Sequence, residues 1–284
     1  MKAVTSHSGS SGSRYLRYAA LGDSTTVGIG DPVPGADGRQ LNRLRGEWRG
    51  WARLLAESLA TSYDVSFCNV AISGATAAIV REQQLADALA HRPDLASLIV
   101  GVNDTMRSTW DAGRVRDDLL TVASRLDAVG ATLMTVRFHD HGAMIGLPRM
   151  ISRPMSARID HVNAVYDEIH DRWGGVRLDL AGRAELHRRD CWSIDRFHPS
   201  EVGHRALARA FAERLDSHGY DVVLPSLESA GGLPPSWKRD LGWMVAEGAP
   251  WMGRRAKDLG PWVGRRAWEE MQQLLPRRAT NLVG

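Results

Sequence analysis

Cysteine, lysine and long apolar runs are what this sequence has least of. Its 284 residues include two cysteines, Cys68 and Cys191, too few for a disulfide framework or a zinc cluster. That number fits a reducing compartment or indifference to redox state, and a chain of this length buries about three quarters of its unfolded surface without a staple. No apolar run approaches the ~20 residues that span a bilayer. The first 20 residues contain no apolar h-region of a secretory signal. The reading is a soluble, cytoplasmic protein.

Lysine occurs only at positions 2, 238 and 257, against 33 arginines, which reads as genome composition rather than as 33 separate uses for guanidinium. The formal charge is +3, but residues 233–284 hold nine Lys/Arg against five Asp/Glu, leaving residues 1–232 at −1. A basic excess confined to the tail of a slightly acidic body argues against a nucleic-acid partner.

What is there alternates. Residues 5–13 are Ser/Gly-rich and are expected to be a disordered leader, 1–13. Strands are predicted at Tyr15–Leu21, Asp64–Ala71, Leu95–Val102, Thr132–Phe138 and Val176–Leu180. Helices are predicted from Trp48 to Leu59, over Thr76–His91, Ala112–Val129 and Pro154–Trp173, and over Glu201–His218. Short strands alternating with long helices imply parallel βαβ units, and the near-continuous apolar third strand implies cover on both faces. The expected fold is α/β: a three-layer α/β/α sandwich on a five-stranded parallel sheet, spanning 14–220. The Gly/Pro-rich loop 27–46, with Arg39, Arg43 and Arg45, is long enough to suggest function.

In such a sheet, ligands bind beyond the carboxyl ends of the strands. The first strand ends in Gly22-Asp23-Ser24-Thr25 and the second in Asn69-Val70-Ala71-Ile72-Ser73-Gly74. The third ends in Gly101-Val102-Asn103-Asp104, and Asp195-Arg196-Phe197-His198-Pro199 follows the fifth. These residues supply an acyl-transfer site. Ser24 is a nucleophile if a base takes its proton, His198 has the intrinsic range for that base, and Asp195 can orient the imidazole. The Ser24 amide, the Gly74 amide and the Asn103 side chain are the oxyanion donors. Asp23 and Asp104 are supporting residues that hydrogen-bond the loops aiming Ser24 and Asn103. Taken singly, Gly-Asp-Ser-Thr is also a helix N-cap and Asn103-Asp104 a turn; it is their order at successive strand ends that favours catalysis.

Those four blocks resemble the SGNH, or GDSL-type, ester hydrolase family over roughly residues 15–218. The family's flavodoxin-like fold agrees with the strand and helix pattern, and the spacing with a Trp-rich basic tail resembles an actinobacterial-type branch. The resemblance implies hydrolysis of a small-molecule acyl ester through an acyl-Ser24 intermediate, with no cofactor and no metal. An acyltransferase using the same triad, or a silent binding module, stays open. Thr26 replaces the glycine of a G-x-S-x-G elbow, which excludes the α/β-hydrolase alternative.

Other features read as structural. A second Asp-x-x-His, Asp167–His170, is expected to be a solvated pair on one helix face. His139-Asp140-His141 has metal-like residue types, with a pocket wall or a loop hydrogen bond as the expected role. His204 is expected at a helix surface or in packing, and Cys191 in packing. Trp110 is expected to line an acyl pocket or cap a helix. The tail, 221–284, holds five of ten tryptophans and repeats Pro-Trp-x-Gly-Arg-Arg-Ala at 250–256 and 261–267. It is expected to be a helical extension that packs on the domain, covers the cleft, or touches a membrane surface.

Overall fold

The computed structural model describes residues 14–33, 48–142, 149–193 and 197–229, with Gly264 and Trp268, and only the backbone of 149–151. The leader, the arginine-bearing part of loop 27–46, Asp195 and nearly all of the Trp-rich tail lie outside the described residues.

Five strands form one parallel sheet: β1 (Arg14–Gly22), β2 (Tyr63–Asn69), β3 (Leu95–Ile99), β4 (Thr132–Arg137) and β5 (Val176–Asp179). Their order is β2-β1-β3-β4-β5, every pairing is parallel, and Gly22 of β1 stands beside Ile99 of β3. β3 is buried along its whole length and β1 from Tyr18 onward, as strands covered on both faces must be. The order reverses between β1 and β3, so the crevice where such sheets take ligands opens at the ends of those two strands.

The helices are α1 (Ser24–Val27), α2 (Gly50–Leu59), α3 (Ala77–Ile79), α4 (Leu85–Ala90), α5 (Val102–Thr105), α6 (Ala112–Ala128), α7 (Arg149–Trp173) and α8 (Glu201–Asp216). α2 packs on α8, where Trp51 and Phe211 stack with centroids 4.9 Å apart. α6 and α7 pack against one another near β4, and Tyr166 and Val162 of α7 are fully buried.

Three local differences separate the structure from the sequence reading. The helix expected over Thr76–His91 is interrupted between α3 and α4 by a π-turn, Val80–Gln84, which inserts an extra residue into the helical register. α7 begins at Arg149, so Pro154 lies inside it and removes one backbone hydrogen bond. The first nine residues of the expected helical extension, 221–229, carry no helix. Arg205 and Arg209 of α8 donate to the carbonyls of Ser226 and Pro225, both at 3.3 Å, and hold this stretch along α8. Beyond it, Gly264 and Trp268 are helical and exposed. No helix among the described residues is long and apolar enough to cross a membrane.

Candidate active site

β1 stops at Gly22 for a steric reason. A Cβ there would lie 2.5 Å from both the Ile99 carbonyl oxygen and Thr26 Oγ1, so only glycine lets α1 fold back this tightly over β3. Asp23 then caps α1: its side chain accepts the Thr25 N–H at 3.0 Å. Ser24 is thereby the first helical residue, its hydroxyl at the carboxyl edge of the sheet. His198 comes from the other end of the chain. Its Nε2 lies 2.9 Å from Ser24 Oγ, across 174 residues of sequence.

The loop carrying His198 is closed as a hairpin. Ser193 donates to the His198 carbonyl through its amide (2.9 Å) and its hydroxyl (2.7 Å), and Trp192 bridges Pro199. Ser200 caps α8 by accepting the Gly203 N–H at 3.2 Å. Asp195, two residues past Ser193, falls in the undescribed stretch.

Asp23 and Asp104, expected as supports, each make specific buried bonds. Asn103 donates its side-chain amide to Asp23 Oδ2 at 3.2 Å. Asp104 accepts the Ala77 N–H with both oxygens, at 3.2 and 3.1 Å, and so anchors the start of α3, three residues after Gly74. Gly74 sits in the turn after β2 with φ +78°, and a Cβ there would meet no protein atom within 4 Å. Backbone conformation, not crowding, is what favours glycine at that position. Burial pushes the Asp23 carboxyl up to about 6, against the opposing pull of its bonds from Thr25 and Asn103 and of the nearby His198. Burial pushes Asp104 up to about 7, and Asp23 adds to the shift.

Sequence reasoning missed a set of buried clamps behind these loops. Gln84, at the end of the π-turn, accepts the Gly22 N–H at 2.9 Å and donates to the Gly22 carbonyl at 2.8 Å. The Tyr166 hydroxyl does the same for Val100, at 3.0 and 2.8 Å, and the Asn163 amide for Phe138, at 2.7 and 2.9 Å. The ends of β1, β3 and β4 are thus each closed by a side chain that satisfies both backbone groups of one residue, as buried backbone requires. Asn69, at the end of β2, donates to the Thr26 carbonyl at 2.8 Å. Its place in the NVAISG block was a visible signal; nothing local marked Gln84.

The other sequence candidates lie elsewhere or turn out otherwise. Asp167 pairs with Arg177 and Arg137 rather than with His170, because those arginines project from the neighbouring strands. His141 makes the expected loop bond, Nδ1 to the His139 carbonyl at 3.0 Å. The buried His139 ring stacks on His141 with centroids 4.0 Å apart, and neither of its nitrogens has a partner among the described residues. Among those residues, no group of three or more His, Cys, Asp or Glu side chains is arranged to hold a metal ion. Cys191 is buried, with Sγ 3.2 Å from the Glu185 carbonyl. Trp110 takes the Arg158 guanidinium over its ring at 5.6 Å.

A parallel α/β sandwich with a serine and a histidine in contact beyond its carboxyl edge has the architecture of a serine hydrolase. Residues 20–206 match the GDSL-like Lipase/Acylhydrolase family. An acetylxylan esterase of Geobacillus stearothermophilus is 24% identical over 173 residues, which cover 57% of this chain and 77% of that protein. A solved structure of a variant of an acetyl xylan esterase from the same organism superposes with a TM-score of 0.54 at 21% identity, covering 74% of this chain and 98% of the other. The psychrotrophic esterase EstA from Pseudoalteromonas sp. gives a TM-score of 0.54 at 15% identity, covering 72% and 100% of the two chains. The chain belongs to the GDSL-like lipase/acylhydrolase family, and it is a serine ester hydrolase.

Proposed function

We propose that this enzyme hydrolyses a small-molecule acyl ester through an acyl-Ser24 intermediate, with His198 as the base. The observation that carries the reading is the 2.9 Å contact between His198 Nε2 and Ser24 Oγ. With the proton on Nδ1, Nε2 accepts the hydroxyl hydrogen as Oγ attacks the ester carbonyl carbon. His198 then passes that proton to the departing alkoxide, leaving acyl-Ser24. Water attacks the acyl carbon as His198 takes its proton, and Ser24 recovers the hydrogen as the acid leaves. Asp195 is assigned to the Nδ1–H, where it would hold the tautomer and stabilise the imidazolium.

The Ser24 amide, the Gly74 amide and the Asn103 side chain are assigned to the oxyanion of each tetrahedral intermediate. Placement supports this: Ser24 opens a helix, Gly74 follows β2 in a positive-φ turn, and Asn103 is held by Asp23. The likeness to an acetylxylan esterase favours short acyl groups on a polyhydroxylated alcohol.

The test is hydrolysis of p-nitrophenyl esters from acetate to palmitate, with fluorophosphonate labelling of the same preparations. Ser24→Ala is expected to abolish both turnover and label while the protein stays folded, and His198→Ala to reduce turnover by several orders of magnitude. Turnover surviving Ser24→Ala would overturn the assignment.

A further inference from the structure

Ser24 and His198 belong to segments that meet only in the finished fold, so something besides their own hydrogen bond must set the distance between them. One segment is the turn after β1. The Ser24 carbonyl accepts the amides of Gly28 and Ile29, both at 3.1 Å, which makes Ser24 through Ile29 one closed unit. The other is the hairpin base, Trp192–Ser193 paired with His198–Pro199, and the start of α8, where the His204 amide donates to the Ser200 carbonyl at 2.8 Å.

His204 joins the two. It is fully buried, with Nε2 3.0 Å from the Ile29 carbonyl and Nδ1 3.3 Å from the Trp51 amide at the start of α2. Those partners fix its tautomer. A carbonyl can only accept, so Nε2 carries the hydrogen; an amide can only donate, so Nδ1 must be bare. Backbone packing reinforces the seam, since a Cβ on Gly30 would lie 2.0 Å from the Pro199 carbonyl oxygen. The chain leaving His198 therefore rests directly on the chain leaving Ser24.

Protonation of this ring would set an N–H against the Trp51 N–H. Burial, opposed by the bond to Ile29, holds the imidazole down at about 4, and His198 contributes in the same direction. A neutral His204 also spares an imidazolium formed on His198 a buried like charge.

We infer that His204 is a positioning residue, whose buried Nε2–H bond to Ile29 holds the Ser24 turn and the His198 hairpin in register for proton transfer. The inference rests on the proposed roles of Ser24 and His198. Of the two roles expected from the sequence, helix surface or packing, burial excludes the first, and the inference makes the second a specific hydrogen-bonded tie.

Three variants test it. His204→Phe keeps a ring and removes both bonds; kcat is expected to fall about 10²-fold, the loss that a displacement near 1 Å can produce, with KM within about threefold of wild type. His204→Gln can reach Ile29 with its terminal amide and is expected to recover at least about tenfold of that loss. His204→Asn mimics Nδ1 but falls short of Ile29, and is expected to recover little. The rate of fluorophosphonate labelling should follow kcat.

Wild-type kcat in a folded His204→Phe, with only its melting temperature lowered, would overturn the inference. If that variant does not fold, equal kcat for His204→Gln and His204→Asn would overturn it, and Gln exceeding Asn would sustain it. Turnover in Ser24→Ala would instead overturn the assignment of the nucleophile, whatever the His204 variants show.

Discussion

Asn103 donates a side-chain N–H to Asp23 Oδ2 at 3.2 Å, so the loops leaving β1 and β3 are joined by a buried hydrogen bond directly beside Ser24. If Asp23 acts by aiming Asn103, the two side chains form one device. Asn103→Ala should lower kcat about 10²–10³-fold, the loss for one oxyanion donor, and Asp23→Ala should lower it by up to that amount. The double variant should lose little more than Asn103→Ala alone. Losses that multiply would show that Asp23 acts independently.

Gln84 is expected to matter because it holds Gly22, two residues before Ser24. Gln84→Leu leaves the Gly22 N–H without its partner and should destabilise the fold by about 1–3 kcal/mol, with kcat falling more than about tenfold as Ser24 shifts. Gln84→Glu is the informative variant. As a carboxylic acid it both donates and accepts, as the amide does; as a carboxylate it can only accept. Its activity relative to wild type should therefore fall as pH rises, and a constant ratio in a steady-state pH profile would refute the clamp.

Asp104 gives a pH dependence of stability. Its carboxyl stays protonated in the folded state to about pH 7, against an ordinary value of 3.8. Stability contributed by the neutral carboxyl is complete below the ordinary value and is lost as pH rises through about 7. Wild type measured against Asp104→Asn by urea denaturation should lose up to ~1.4 kcal/mol per pH unit across that window. A pH-independent difference would contradict it.

His139 has the opposite sign. Burial first, then His141 and His187, pushes its ring down to about 2 from an ordinary 6.5. The unfolded chain takes up the proton first on acidification, so stability is lost as pH falls below the ordinary value. His139→Phe removes two buried nitrogens that have no partner among the described residues and should stabilise the protein by about 1–3 kcal/mol near neutrality. The gain should grow by ~1.4 kcal/mol for each pH unit below about 6.5. Thermal melts at about pH 5 and about pH 8 decide it; a less stable variant at both would refute the account.

The strands and helices that frame the crevice were legible because their patterns are local: β3 is apolar on both faces, and α6 and α8 are amphipathic over many turns. Ser24 and Asn103 stand out in the sequence because each lies in a short polar block just past a strand, and His198 because its Asp-x-x-His-Pro block follows the last strand. What joins them does not. The partner of Gln84 is Gly22, 62 residues earlier, and no residue between Val80 and Gln84 signals a π-turn. His204 reads in the sequence as a helix-surface or packing residue; it is fully buried, and its two partners, Ile29 and Trp51, are named only by the tertiary fold. Asp23 and Asp104 were expected as supports, but Asp23 grips the Asn103 side chain, and Asp104 the start of the helix beyond Gly74.

Ser24 opens the helix after β1 and His198 stands just before α8, which packs on α2 through Trp51 and Phe211. A chain interrupted anywhere before His198 lacks the base proposed for Ser24. On the proposed roles of Ser24 and His198, esterase activity is expected to report on completed folding, appearing late in a refolding experiment and vanishing early when the α2–α8 contact opens.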